Sequence, residues 1–382
     1  MMNRTIDMLP SSCCSPLAGE TGSLQTLQPV MKEHGGNIYR ASEETGIPVS
    51  EIIDFSASIN PLGVPDTVTQ VIKDTINYLP HYPEPFAEQL SNHLGRHLDI
   101  DPHIILCGNG STELIYLVVR ALAPRRVLIP APTFSEYERA CALQRGTTCV
   151  RYALSRENNF DLDPDEFIAA MAGCDMAFLC NPNNPTGRLL SRGAVLALAQ
   201  AAERLSCYLV VDEAFIDFAS DHSVVHEAAN NSHLIVLRSL TKFYALSGLR
   251  VGYGVFPQSL MSLMKNHKEP WTVNTLAQKA GMTAINDKAY QEKTAAAIAE
   301  GKEFLEKGLM ALGIDYIPST ANYYLIRLDQ ALQIIVSLRK KGILVRDCSN
   351  FAGLDGSSIR IAVRSLRENA VLLKELARSC AP

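Results

Sequence analysis

The sequence has no uninterrupted apolar run approaching the ~18 to 20 residues that a bilayer-spanning helix needs. Residues 1–24 also lack the basic-then-apolar order of a secretory signal, so the expected location is the cytoplasm and no membrane partner is expected. Nor is there an excess of basic charge: 35 Lys and Arg stand against 40 Asp and Glu, a net charge of −5. Such a chain has no general field to hold a nucleic acid, and any phosphate it binds must be gripped by a few local groups. Its ten cysteines are dispersed, apart from the adjacent Cys13 and Cys14, and none falls in a Cys-x-x-Cys or Cys/His cluster with metal-ligand spacing. Free thiols of a reducing compartment and no metal are therefore expected. There is no internal repeat. Gly and Pro, 23 and 20 of 382 residues, and a charged fraction of 20% exclude a collagen, a coiled coil and a wholly disordered chain.

What remains is long enough, at ~150 residues per domain, for two domains or one large domain with additions. Residues 1–30 are rich in Ser, Thr, Pro and Gly without periodicity and read as a disordered extension. After them, apolar, β-branched runs at 126–130, 149–154, 176–180, 208–212, 234–237 and 251–256 alternate with helical stretches such as 191–205. Runs apolar on both faces and separated by helices predict an α/β fold with a mostly parallel sheet covered on both sides. From 276 to 312 the composition predicts one long helix connecting to a smaller α+β unit, with strands at 322–328, 342–346 and 358–363.

Four segments carry polar groups at the ends of these runs. In Ser239-Leu-Thr241-Lys242 with downstream Arg250, a lysine follows a buried strand, where α/β folds place ligands. Lys242 can be a Schiff-base lysine there, with Ser239, Thr241 and Arg250 gripping a phosphate; alone, a loop lysine is an ordinary solvated charge. Asp212 ends the apolar run 208–212, an expensive place for a carboxylate unless it meets a cation. That cation can be a protonated pyridine nitrogen, although an Asp there can instead cap the next helix or pair with a Lys. Asn181-Pro-Asn-Asn184-Pro-Thr-Gly187 is a rigid turn able to hold an amide against a planar ligand. Finally, Gly108-Asn-Gly110-Ser111-Thr112 opens a helix whose N–H groups and hydroxyls suit an anion, though many helices begin this way. Near the start of the fold, His34-Gly35-Gly36-Asn37 suits close backbone approach to an anion, and Asn60 follows in Ile59-Asn60-Pro61.

Taken together and in this order, these motifs resemble those of the fold-type I pyridoxal phosphate enzymes of the aminotransferase superfamily, over residues ~34–380. The resemblance implies a large domain with a mostly parallel seven-stranded sheet and a small α+β C-terminal domain. Its boundaries are 31–60 for an N-terminal arm serving the small domain and substrate site, 61–275 for the large domain, and 276–382 for the connecting helix and small domain. The implied cofactor is pyridoxal 5′-phosphate, with Lys242 as its Schiff-base lysine and Asp212 on its ring nitrogen. Asn184 would bind the ring oxygen, Phe134 would stack on the ring, and Gly110, Ser111, Thr112, Ser239, Thr241 and Arg250 would surround the phosphate. Tyr82 would reach that phosphate from a neighbouring subunit, implying a homodimer with shared sites.

Within the superfamily, His34-Gly-Gly-Asn37 and Arg346-Asp-Cys-Ser-Asn350 are similar to a branch that decarboxylates threonine phosphate in cobalamin synthesis. That likeness implies a phosphorylated amino-acid substrate, held by His34, Gly35, Asn60, Asn184 and Arg346, with Arg360 on its carboxylate. Serine phosphate differs from threonine phosphate by one methyl, which a pocket separates by only ~1 to 3 kcal/mol. Phe215 stands where transaminating relatives commonly carry a tyrosine. Transamination of histidinol phosphate, and a non-catalytic binding or regulatory role on the same fold, stay open as alternatives.

Overall fold

A computed structural model of the chain describes residues 34–379; the extension expected at 1–30 lies outside the described residues. The first strand, β1 (Ile53–Asp54), is short. Seven more follow: β2 (Ile105–Gly108), β3 (Arg126–Ala131), β4 (Thr148–Ala153), β5 (Met176–Cys180), β6 (Tyr208–Glu213), β7 (Leu234–Ser239) and β8 (Gly252–Val255). They form one sheet in the order β2-β8-β7-β6-β5-β3-β4. Only β8 runs against its neighbours; every other pairing is parallel. Central β5, β6 and β7 are apolar on both faces because both faces are covered, by helices that include Ser111–Leu122 and Arg192–Leu205. This is the mostly parallel seven-stranded sheet that the sequence resemblance implies.

Four further strands, β9 (Tyr323–Arg327), β10 (Ile343–Leu344), β11 (Arg346–Asp347) and β12 (Ser358–Ala362), build the C-terminal part. Strands β11, β12 and β9 make an antiparallel sheet, whereas β10 pairs in parallel with β1, nearly three hundred residues earlier. A second core of Leu305, Leu309, Tyr324, Ile361 and Leu372 packs there, and Phe55 from the N-terminal side is buried in it.

Two expectations are corrected. The run expected as one strand at 342–346 is two, because Val345 separates residues that pair with β1 from residues that pair with β12. The connecting helix expected over 276–312 is broken into Thr275–Ala284 and Lys288–Ala311. Asp287 causes the break: its carboxylate accepts from the Tyr290 N–H at 2.9 Å, capping the second helix, and from the Thr67 hydroxyl at 2.7 Å. A short polar residue that satisfies free N–H groups restarts a helix rather than continuing it.

The second helix passes close to the segment after β12 at Gly301. A methyl group there would lie 2.7 Å from Val363 Cγ1 and 3.2 Å from the Arg364 carbonyl oxygen. Alanine improves helix propensity by about 1 kcal/mol, but overpacking against backbone costs about 1 to 3 kcal/mol. Gly301→Ala should therefore lower stability, seen as a lower denaturant midpoint with unchanged m-value; an equal or higher midpoint would show that the contact relaxes freely.

Candidate active site

The parallel strands of the large sheet deliver their C-terminal ends to one edge, and antiparallel β8 delivers its beginning there. Register sets the result: Gly252 pairs with both Gly108 and Ser239. Arg250, two residues before Gly252, is thereby brought beside the end of β7 and the start of helix Ser111–Leu122. Glycine is required at this crossing, since a Cβ on Gly252 would sit 2.6 Å from the Ser111 nitrogen and one on Gly110 2.5 Å from Arg250 Nη2. Gly110 also holds a φ of +76°, natural only for glycine. The outcome is a cup lined by Ser111, Thr112, Ser239, Thr241 and Arg250, with the free N–H groups of a helix start at its base. The Ser239 and Thr241 hydroxyls lie 2.7 Å apart.

Next along the edge is Asp212, only 2% exposed. Its carboxylate accepts from the Tyr137 hydroxyl at 2.7 Å and the Ala214 N–H at 3.1 Å. Burial still raises its pKa to about 6. Its neighbour Glu213 points to the opposite face, as strand geometry demands, and is met there by Ser223, the Val224 N–H and Arg238. Only Asp212 faces the cavity.

Lys242 follows β7 in a loop pinned from behind: Asn60 donates its backbone N–H to the Lys242 carbonyl and its side-chain amide to the Phe243 carbonyl. Burial lowers the Lys242 pKa to about 8, aided by the positive charges of Arg360 and Arg250. Among the described residues its amine makes no ion pair, not even with Asp212.

The opposite wall comes from the Pro-rich turn and the small sheet. Asn181 is spent holding Leu190, and Asn183 holds Pro132, Thr133 and Thr186. That leaves Asn184, whose side-chain oxygen accepts from Arg360 Nη1. Arg360 also donates from Nη2 to the Ser56 carbonyl at 2.8 Å, while its buried Nε has no partner. Arg346 and Arg360 stand opposite each other on β11 and β12, both buried. Like charges directly paired across strands are destabilising, and both guanidiniums line the same cavity.

The cup residues, Asp212, Lys242, Asn184, Arg346 and Arg360 line one cavity of about 450 Å³, together with His34, Gly35, Phe134, Glu136 and Arg139. Five cations (Arg139, Lys242, Arg250, Arg346 and Arg360) face two carboxylates, Asp212 and Glu136. The −5 of the whole chain is locally reversed.

Most of the residues singled out in the sequence thus meet, Asn60 being an exception, while Tyr82, expected to serve a neighbouring subunit, does not enter its own cavity. Asn60, expected to bind substrate, is 2% exposed with its amide committed to Phe243 and Thr294, so it supports the Lys242 loop instead. Tyr82 lies outside the cavity, 85% exposed and beside Trp271. Arg364, another arginine near the end of β12, pairs with Glu368 and is not a lining residue. Sequence reasoning missed Tyr137, Glu136, Arg139 and Ser56. They sit beside Phe134 and Asp54 in the sequence, but no spacing marks them.

A flat, anionic, heteroaromatic group with a reactive carbonyl fits this donor set: a cationic cup for a phosphate, a buried carboxylate for a ring nitrogen, and a low-pKa amine between them. The fold is that of the fold-type I pyridoxal phosphate enzymes. A family model described as aminotransferase class I and II matches residues 50–376. A threonine-phosphate decarboxylase from Salmonella typhimurium is 39% identical over 347 residues, 90% of this chain and 95% of that protein. Histidinol-phosphate aminotransferase 2 from Carboxydothermus hydrogenoformans is 31% identical over 93% of this chain and 97% of that one. The crystal structure of L-threonine-O-3-phosphate decarboxylase from Porphyromonas gingivalis superimposes with a TM-score of 0.76 at 28% identity, covering 85% of this chain and 98% of that chain. The chain belongs to the aminotransferase class I and II family. Its cofactor is pyridoxal 5′-phosphate.

Removing the Tyr137 hydroxyl deprives the Asp212 carboxylate of a charged hydrogen bond worth about 1.5 to 3 kcal/mol. Since that bond lowers a pKa already raised to about 6, Tyr137→Phe should raise it further. Titration of the apoprotein with cofactor should then show affinity falling as pH drops through about 6 in the native protein and at a higher pH in the variant. Superimposable pH profiles would contradict the assigned role of Tyr137.

Proposed function

We propose that the protein decarboxylates L-threonine O-3-phosphate to (R)-1-amino-2-propanol O-2-phosphate, a precursor of the cobamide nucleotide loop, and also accepts L-serine O-phosphate. The observation that carries this reading is the in-register pair Arg346 and Arg360, a second cationic site in the cavity that Lys242 and the Arg250 cup also line. One cup serves a cofactor phosphate; the guanidinium pair, with His34 and Gly35, suits a small substrate bearing both a carboxylate and a phosphate. The 39% identical relative named for this activity supports the same choice.

In this reading Ser111, Thr112, Ser239, Thr241 and Arg250 hold the cofactor phosphate around Gly110, Asp212 holds the ring nitrogen, Asn184 the ring oxygen, and Phe134 covers a face. The cofactor supplies an electron sink for the bonding pair released when a bond at the substrate Cα breaks. The residues then decide which bond that is. Arg360, braced by Asn184 and Ser56, and Arg346, braced by Asn350, fix the two anionic ends and so the orientation of Cα. Lys242, with a pKa near 8, holds a proton at Nζ at neutral pH and delivers it to Cα as carbon dioxide leaves. Phe215, packed edge-on to Tyr323, brings no hydroxyl to the cavity.

We also propose a cytoplasmic homodimer with shared sites. Ile76, Tyr78, Leu79 and Tyr82 form an exposed apolar stretch suited to burial against a second copy. Tyr82 would then reach the partner's cofactor phosphate.

Holoenzyme mixed with threonine phosphate should release carbon dioxide stoichiometrically with the amino-alcohol phosphate. Serine phosphate should give a kcat/KM lower by roughly 10- to 200-fold. Glutamate formed from histidinol phosphate and 2-oxoglutarate, without carbon dioxide from threonine phosphate, would reverse the assignment in favour of transamination. Lys242→Ala should abolish turnover, and borohydride-reduced holoenzyme should carry the cofactor on the peptide containing Lys242.

A further inference from the structure

Glu136 is an unexpected resident of a cavity built for anions. It is 6% exposed and stands at the start of helix Glu136–Ala142, facing the space that Arg346 and Arg360 also line. A buried carboxylate repels an incoming phosphate unless its charge is committed elsewhere. Here it is committed to three groups: His34 Nε2 at 2.7 Å, the Tyr116 hydroxyl at 2.5 Å, and Arg139 at 3.6 Å. Although burial works against it, the hydrogen bonds from His34 and Tyr116 hold the carboxyl below the ordinary glutamate range.

His34 in turn is placed from several sides. A Cβ on Gly35 would lie 2.3 Å from the Ser56 carbonyl oxygen, so the backbone there docks flush against Ser56. Gly36 donates its N–H to the Ser56 hydroxyl at 2.7 Å, and that hydroxyl donates to Asp54 at 2.6 Å. The same Ser56 accepts from Arg360. The His34 ring lies beside Phe134, centroids 5.9 Å apart. With Nε2 tied to Glu136, Nδ1 is the ring nitrogen without a protein partner among the described residues.

We propose that Glu136 is a specificity-determining positioning residue: together with Tyr116 it fixes His34 by accepting from Nε2–H, so that the imidazolium form presents Nδ1–H as the donor to the phosphate of the substrate. This rests on the reading of the substrate as a phosphorylated amino acid. Glu136 does not touch substrate, and its effect passes wholly through His34.

The test uses holoenzyme and a double-mutant cycle of Glu136→Ala, His34→Ala and the two combined, with Glu136→Gln as a variant of equal volume. Equilibrium binding and KM are measured for threonine phosphate, with unphosphorylated threonine as the comparison ligand. Glu136→Ala should weaken threonine phosphate about tenfold or more, the loss of a charged hydrogen bond. The effect should be in KM rather than kcat, with binding of threonine and of the cofactor unchanged. Glu136→Gln, still able to accept from Nε2, should lose less. The double variant should bind no more weakly than His34→Ala alone. Additive losses in the double variant, or equal losses for threonine and its phosphate, would overturn the proposal. If the native holoenzyme binds threonine phosphate no better than threonine, the functional reading itself fails, and this inference falls with it.

Discussion

The site depends on burying an amine and a carboxylate at the ends of neighbouring strands without letting them neutralise each other. Lys242 and Asp212 are both out of water and unpaired with one another, which pulls their pKa values towards each other, to about 8 and about 6. Ionised groups cost free energy in such a place, so the protein must hold them there with contacts made elsewhere. The large core around β5, β6 and β7 supplies that rigidity, and individual bonds aim the groups: Tyr137 and the Ala214 N–H for Asp212, Asn60 for the Lys242 loop.

The same principle repeats on the small sheet. Arg346 and Arg360 face each other across a strand pair, an arrangement of like charges that is unfavourable in itself. Ser56 links this wall to the N-terminal strap, since it receives Arg360 on its carbonyl and Gly36 on its hydroxyl. Residues from 34 to 56 and from 346 to 360 thus act as one surface, and β1 pairing with β10 keeps them together.

Much of this was legible before any coordinates. Asp212 and Lys242 announce themselves as charged residues at the ends of apolar strands, and Asn184 lies in a turn too rigid to be ordinary. The resemblance implied a substrate-binding role for Asn60, whereas in the structure its amide answers a buried carbonyl of the Lys242 loop. Glu136 and Tyr137 carry no such mark. An acidic residue at a helix start and an aromatic beside it are commonplace, and their importance arises only from His34, 102 positions away, and Asp212, 75 positions away.

The resemblance of its motifs to a known superfamily implied the cofactor, and by itself the sequence determined the α/β class and the strand ends on which charge would be placed. Those properties follow from local hydrophobic period and from the cost of putting a charge beside an apolar run. The tertiary structure alone decided which residues share the cavity. Antiparallel β8 enters between β2 and β7 and so carries Arg250 to the helix start, and the register of β11 against β12 sets two arginines face to face. Register and strand order are agreements between segments far apart in the chain, and no local pattern encodes them.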